Sequence, residues 1–242
     1  MQFIDTHIHL QDYKSNNAPQ FLDELKKEGT KRVICVATKE ENWGDVCRLA
    51  QNFPRFVVPA LGLHPWFLQE SSSKWSENLQ KLLEQIPHAL IGECGLDRVK
   101  NVSPRQQEEV FAEHIRLAKE YQRPLLVHAV KAQEWLEGFW PILKEVRFVL
   151  HSFSGSVELL RRALSFGAYI SFCPKTQIRK NFKELAQAVP LQKLLLESDG
   201  PYQGNPADIP ELARDIAEQK GIGAEELAAA IYKNSQEFID VR

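Results

Sequence analysis

His7 and His9 stand two residues apart where a short apolar run, Phe3-Ile4-Asp5-Thr6, gives out. Side chains two apart on a strand share a face, so the pair can turn both imidazoles toward one cation. Such a pair alone is common. Four more apolar runs end the same way: Leu90-Ile91-Gly92 in Glu93, Leu125-Leu126-Val127 in His128, Phe148-Val149-Leu150 in His151, and Leu194-Leu195-Leu196 in Glu197-Ser198-Asp199. Imidazoles and carboxylates gathered at the ends of buried strands are very costly without compensation. A divalent cation removes that cost by neutralising the carboxylates and taking the imidazole lone pairs.

His7, His9, His128, His151, Glu93 and Asp199 offer more donors than one tetrahedral ion takes. They suit two ions about 3.5–4 Å apart with one shared carboxylate. Glu93 is the expected bridge, because its strand lies between the first and the fifth. His7, His9 and Asp199 would complete one site, His128 and His151 the other. Such a pair polarises a substrate oxygen and makes a bound water acidic near neutrality. Asp199 is the expected general base for that water, so Glu93 and Asp199 carry the catalytic expectation. Imidazole-rich ligation suits zinc, manganese, iron or nickel better than magnesium. The expected cofactor is two divalent ions, zinc, manganese or nickel by this preference, with magnesium admitted because loading also depends on availability.

Residues that far apart in sequence need a frame. Eight short β-rich runs are expected as strands: Phe3–Thr6, Arg32–Val36, Phe56–Leu61, Ala89–Glu93, Leu125–His128, Phe148–His151, Tyr169–Ser171 and Leu194–Glu197. Helical patterns lie between them near 18–28, 41–51, 75–86, 105–122, 132–144, 156–166 and 181–188, with two more near 208–220 and 223–239. Ser103-Pro104 reads as an N-cap with proline in the first turn. Gly29 and Gly167 sit where helices end. Strict alternation of strand and helix argues a parallel sheet. Eight such units argue closure into a (β/α)8 TIM barrel. No G-x-G-x-x-G follows any strand, which disfavours a dinucleotide-binding sheet. In such a barrel the reactive groups lie at the C-terminal ends of the strands, where the six residues fall.

The 242 residues suit one barrel domain, expected to occupy 1–242. The formal net charge is −2, so no global basic field recruits nucleic acid. A polyanionic substrate would be held locally, by the ions or a small basic rim. Cys35, Cys47, Cys94 and Cys173 form no C-x-x-C pair and are expected as buried free thiols in a reducing compartment. The start shows no signal-peptide pattern, and no apolar run approaches the about 20 residues of a membrane span. The expected location is the cytoplasm, with no membrane and no obligate protein partner.

Six segments, in order, carry a resemblance. They are Asp5-Thr6-His7-Ile8-His9-Leu10, Gly62-Leu63-His64-Pro65, Gly92-Glu93-Cys94-Gly95-Leu96-Asp97, Pro124-Leu125-Leu126-Val127-His128, His151-Ser152-Phe153-Ser154-Gly155 and Leu196-Glu197-Ser198-Asp199-Gly200-Pro201-Tyr202. Together the chain resembles the TatD family of metal-dependent hydrolases, in the amidohydrolase-like superfamily, from residue 1 to about 240. The resemblance implies a TIM barrel, a dinuclear metal site and phosphoester hydrolysis of the deoxyribonuclease type, with a phosphoester such as single-stranded DNA as substrate. It places the metal roles on the same six residues. Three departures bear on the substrate. The family's H-x-R-x-A reads His128-Ala129-Val130-Lys131-Ala132, the basic segment after the eighth strand is replaced by Gln203-Gly204-Asn205-Pro206, and Arg98 stands where an aromatic is usual. Loss of the two basic features leaves room for a second enzyme reading, hydrolysis of a non-nucleic-acid ester, amide or lactone. A third reading, a non-enzymatic metal-binding barrel, is opposed by the full ligand set.

Substrate contacts are expected from His64, which could meet a phosphate or protonate a leaving group, and from Lys175 and Arg179 as phosphate clamps. Arg98 and Lys131 are candidate replacements for the missing arginine. Ser154 opens a helix beside His151, where backbone N–H groups could take an anion or form an ordinary N-cap. Glu197 is expected to orient a ligand histidine from behind. Trp66 and Phe67 could stack a base or pack their loop. His88 and His114 read as structural or exposed, and Trp135–Trp140 as packing of helix on barrel.

Overall fold

The computed structural model describes residues 1–13 and 18–240. The domain boundaries expected at 1–242 take in a few residues outside that range. Among the described residues there are eight strands: β1 Phe3–Ile8, β2 Thr30–Val36, β3 Val57–Leu61, β4 Leu90–Asp97, β5 Leu125–Val130, β6 Phe148–Leu150, β7 Tyr169–Phe172 and β8 Leu194–Leu196. They form one parallel sheet in sequence order. The seam between β1 and β8 is closed by a parallel bridge at Ile8 and Gly200. It is reinforced by Asp199 N–H donating to the His7 carbonyl at 2.9 Å and His9 N–H to the Gly200 carbonyl at 2.8 Å. This is the expected barrel.

The helices are α1 Ala18–Lys27, α2 Trp43–Asn52, α3 Trp75–Gln85, α4 Pro104–Glu120, α5 Gln133–Leu136, α6 Trp140–Leu143, α7 Val157–Ser165, α8 Pro174–Gln177, α9 Phe182–Ala188, α10 Ile209–Lys220 and α11 Ala224–Ile239. Local signals act where the sequence put them. Ser103 Oγ accepts from Gln106 N–H ahead of α4, and Ser156 Oγ from Leu159 N–H at 3.2 Å ahead of α7. The helix expected over 132–144 is two single turns instead. Pro141 lacks the N–H that would bond back to residue 137, and Gly138 favours a break.

The interior of the barrel is one apolar layer, including Ile4, Ile34, Val58, Leu90, Leu126, Val149 and Leu195. Phe238 and Ile239 of α11 pack into it. Arg147, just before β6, donates to the carbonyls of Glu237, Phe238 and Asp240, so the end of α11 closes the N-terminal mouth. A larger layer, including Leu83, Phe111, Trp140 and Leu212, packs the helices on the outside. All four cysteines are buried and free, as expected. Among the described residues no helix is long and apolar enough to cross a membrane.

Two register shifts aim the opposite mouth. The pairing of β1 with β2 slips between Asp5 and Ile8, and that of β4 with β5 between Ile91 and Cys94. An extra residue at a bulge flips the facing of everything after it. Ile4 and Leu90 face the interior at even positions. Beyond the slips it is the odd-numbered His7, His9, Glu93 and Asp97 that point inward. In β5 no slip intervenes, and Leu126 and His128 share a face.

Candidate metal centre

Glu93 stands at the middle of the C-terminal mouth, and each of its carboxylate oxygens faces a different set of imidazoles. Oε2 lies 3.3 Å from His7 Nε2 and 3.7 Å from His9 Nε2. Asp199 Oδ1 completes that group, 3.4 Å from His9 Nε2 and 4.0 Å from His7 Nε2. Oε1 lies 2.8 Å from His151 Nε2, 2.9 Å from His128 Nδ1 and 3.4 Å from His64 Nε2. All six residues chosen from the sequence therefore meet at one place, around the two oxygens of Glu93, with the His7 and His151 rings stacked 4.0 Å apart between the two sides. His64 joins the second group.

The spacing tests whether a cation fits. Donors about 2.1 Å from a tetrahedral ion are separated by edges of about 3.4 Å. The two histidine nitrogens of the first group are 3.3 Å apart, as are those of His128 and His151 in the second. The residues fit a divalent ion in each group. Their far sides fix the tautomers. His9 Nδ1 lies 2.8 Å from the Val36 carbonyl, which can only accept. His128 Nε2 lies 2.9 Å from Asp97 Oδ2, and His151 Nδ1 3.4 Å from Glu197 Oε1. In the neutral rings of His9 and His128 the far nitrogen carries the proton, so the near nitrogen turns a lone pair inward; Glu197 faces His151 Nδ1 from the same side at longer range. Acceptors behind ligand histidines commonly hold them in this way.

His64 is wired the other way. Its Nδ1 accepts the Trp66 backbone N–H at 3.1 Å, so in the neutral ring the proton sits on Nε2 and points at the centre. Burial drives the His64 imidazole down to about 3, which keeps it neutral. It is placed as a hydrogen-bond donor. Its loop is held from behind by His114, whose Nε2 accepts Leu63 N–H at 3.1 Å and whose Nδ1 donates to the Val110 carbonyl at 2.7 Å. His114 is buried, which leaves the structural one of the two readings the sequence offered.

Burial alone would raise the Glu93 carboxyl, but His151, His64 and His7 around it hold it well below the usual carboxylate range. Asp199 is lowered too, because the hydrogen bond with His9 and the charge of the nearby imidazoles outweigh its burial. Burial likewise opposes protonation of His9, His128 and His151, yet their carboxylate neighbours raise all three. His7 moves down, chiefly through burial.

Asp97 is the residue the sequence reading passed over. Its Oδ2 takes both His128 and the Trp66 indole N–H, at 2.9 and 2.8 Å. Its Oδ1 accepts Val99 N–H at 2.6 Å. The signal was present: Asp97 lies four residues after Glu93, in phase on one strand. The expected strand stopped at Glu93, whereas β4 runs on through Gly95. There φ is +142°, and a Cβ would lie 2.1 Å from the His128 carbonyl oxygen. Only glycine allows β4 to come so close to β5.

The mouth is a cavity of about 390 Å³. Of the expected substrate contacts, His64, Ser154, Lys175 and Arg179 line it. Arg179 Nη1 also donates to the Ser154 carbonyl at 3.3 Å. At the helix start beyond Ser154, Ser156 is the N-cap. Glu197 is fully buried behind His151 and accepts Ser152 N–H. Arg98 and Lys131 do not line the cavity. Arg98 is turned outward, 3.0 Å from Glu134 and over the Trp135 ring, and Lys131 is exposed beyond the end of β5. Val130 lines the mouth in their stead, with Trp66 and Tyr202 exposed on the rim.

The family profile described as TatD related DNase matches residues 4–240. The chain is 31% identical over 258 residues to a protein of Escherichia coli named as the uncharacterized metal-dependent hydrolase YjjV, covering 99% of this chain and 98% of that one. The crystal structure of YjjV, a TatD homologue, superposes with a TM-score of 0.88 at 29% identity over 98% of this chain and 97% of that one. A Pantoea vagans protein named 3'-5' ssDNA/RNA exonuclease TatD is 30% identical over 211 residues, covering 78% of this chain and 80% of that one.

Proposed function

The chain belongs to the TatD-related DNase family and is a metal-dependent hydrolase, and we propose that the bond it breaks is a phosphodiester at an end of single-stranded nucleic acid. The observation that carries this reading is Glu93. One buried carboxylate offers an oxygen to each of two imidazole groups, beneath a mouth bordered by Lys175 and Arg179. His7, His9, Glu93 and Asp199 would hold one divalent ion, and Glu93, His128 and His151 a second. When bound, the ions supply Lewis acidity to a phosphoryl oxygen and to the attacking water.

The chain's own residues do the rest. Asp199, kept ionised by the imidazoles beside it, takes the proton of the water as general base. His64 presents an N–H toward the oxygens of the phosphoryl group or the leaving group and stabilises the charge that grows there. Asp97 and Glu197 hold His128 and His151 in the tautomer that points a lone pair inward. Lys175 and Arg179 sit where they meet phosphates flanking the cleaved bond. Trp66 and Tyr202 offer aromatic faces for unstacked bases. The name of the Pantoea relative agrees with such a substrate.

One observation favours a second reading. Val130, not a cation, lines the mouth, and the two cations expected to compensate are outside it. That suits a less charged substrate, an ester or lactone. One experiment separates the two. Metal-stripped protein is reloaded with manganese, zinc or magnesium and given a labelled single-stranded oligonucleotide, bis-p-nitrophenyl phosphate, and a panel of carboxylic esters and lactones. Metal-dependent shortening of the oligonucleotide supports the first reading. Turnover of esters or lactones with no phosphoester cleaved overturns it in favour of the second.

A further inference from the structure

Asp5 is fully buried, lies in β1 two residues before His7, and belongs to neither imidazole group. Its carboxyl group nevertheless makes three hydrogen bonds. Oδ1 accepts Ser198 N–H at 3.0 Å and His7 N–H at 3.2 Å, and Oδ2 accepts the Ser198 hydroxyl at 2.6 Å. The same hydroxyl accepts Gly200 N–H at 3.1 Å. One side chain thus holds the backbone of His7 on β1 and, through Ser198 and Gly200, both neighbours of Asp199 on the segment after β8.

The seam needs such a contact. Elsewhere in the barrel, neighbouring strands share a ladder, whereas among the described residues β1 is bridged only to the segment after β8, at Ile8 and Gly200. Asp199 also has φ of +51°, a left-handed conformation that a non-glycine residue keeps only where its surroundings impose it. The Oδ1 of Asp199 must stand 3.4 Å from His9 Nε2, and a looser seam would spread that pair.

We propose that Asp5 is a positioning residue that clamps β1 to the segment after β8 and so fixes the distance between the His7–His9 pair and Asp199. This rests on the reading of those residues as ion ligands. The clamp works by hydrogen bonding, so an amide can replace the carboxylate. Asparagine would keep the oxygen facing both backbone donors, and its amide would donate to Ser198 Oγ.

The test is cobalt binding followed by visible absorbance and metal analysis. Asp5→Ala should weaken, by about 10- to 100-fold, the class of site that is also lost in His9→Ala, and leave the other class within about threefold. Asp5→Asn should restore it to within about threefold of the parent. Ser198→Ala should weaken the same class by about 3- to 10-fold, and it decides the matter if Asp5→Ala fails to fold. Thr6→Val is the control. Thr6 Oγ1 donates to the Leu196 carbonyl at 2.9 Å across the same seam but does not hold the backbone beside Asp199, so this variant should lose thermal stability without losing cobalt. Equal loss in both site classes, or Asp5→Asn as weak as Asp5→Ala, overturns the proposal. So does Ser198→Ala binding like the parent. Failure of the parent itself to bind cobalt overturns the metal-centre reading and this inference with it.

Discussion

Glu93→Gln is the sharpest perturbation of the centre, because it changes two atoms' chemistry and almost no volume. One of the two oxygens becomes an N–H donor. The first group keeps a carboxylate in Asp199, but the second has none among its described members besides Glu93. An amide nitrogen turned to His128 or His151 would meet an imidazole lone pair but could not ligate. Whichever way the amide lies, the second group loses its anion, and the buried charges there lose their counterpart. Removing one partner from a buried charge arrangement costs about 3–5 kcal/mol. With tenfold per 1.4 kcal/mol, the second ion should bind about two to three and a half decades more weakly. The first should weaken far less. Metal analysis after gel filtration, followed by competition with a chromophoric chelator, measures both sites. The expected result is one tightly held ion where the parent holds two. Two equivalents retained at affinities within about threefold of the parent would refute the reasoning, since Glu93 would then not bridge.

His64→Gln should lower kcat by about 100-fold or more, the low end for a positioned proton donor, with both ions retained; loss of an ion would show that the tautomer argument is wrong. Gly95→Ala should destabilise by about 3 kcal/mol or more, because it combines a strained φ with a Cβ inside the His128 carbonyl, and urea midpoints read this. Burial holds the His114 imidazole at about 4 against an ordinary 6.5, so the unfolded chain binds the extra proton between those values. Stability should therefore be fully present above pH 6.5 and fall by about 3 kcal/mol toward pH 4; His114→Gln should flatten that slope in a urea series across pH. Lys175→Glu combined with Arg179→Glu should raise KM for an oligonucleotide by at least about tenfold while leaving the hydrolysis of bis-p-nitrophenyl phosphate within about threefold; equal effects on both substrates would remove these residues from the flanking phosphates.

Much of the centre could be read from the sequence because a buried strand that ends in an ionisable residue is anomalous on its own terms. Five strands ended so, and a parallel barrel brings such ends together. What could not be read was the bulging of β1 and β4. Strict alternation from Ile4 would turn His7 outward, and from Leu90 it would turn Glu93 outward. The pairing slips that correct both depend on partner strands, not on local propensity. Asp97 was lost for a related reason. Glycines at 92 and 95 weaken any strand pattern, yet here they are the condition for continuing it. The loops were the least legible. Arg98 lies immediately after a strand end, as a phosphate contact should, and only its partners Glu134 and Trp135 reveal that it serves the outer surface.

The contrast between His64 and its neighbours bears on whether this cluster is a cation site or merely a hydrogen-bonded core. In a core, close nitrogen pairs survive by sharing a proton, one ring donating and the next accepting. Here His9 and His128 each spend their donor on the far side, on a carbonyl and a carboxylate, and His151 has Glu197 behind it. Their near nitrogens are left as acceptors facing other acceptors, the oxygens of Glu93 and Asp199. That arrangement repels itself unless a positive charge sits among the lone pairs. Protons can supply it, which is why the carboxylates raise His9, His128 and His151. A divalent ion supplies it more fully and must displace those protons to do so. Ion binding should therefore release protons and strengthen as pH rises through the raised imidazole values. His64 has its polarity reversed by one backbone N–H, brings its own proton and needs no cation. The same ring in the same pocket thus presents an N–H to the mouth instead of a lone pair, through a contact made by the residue two places further on.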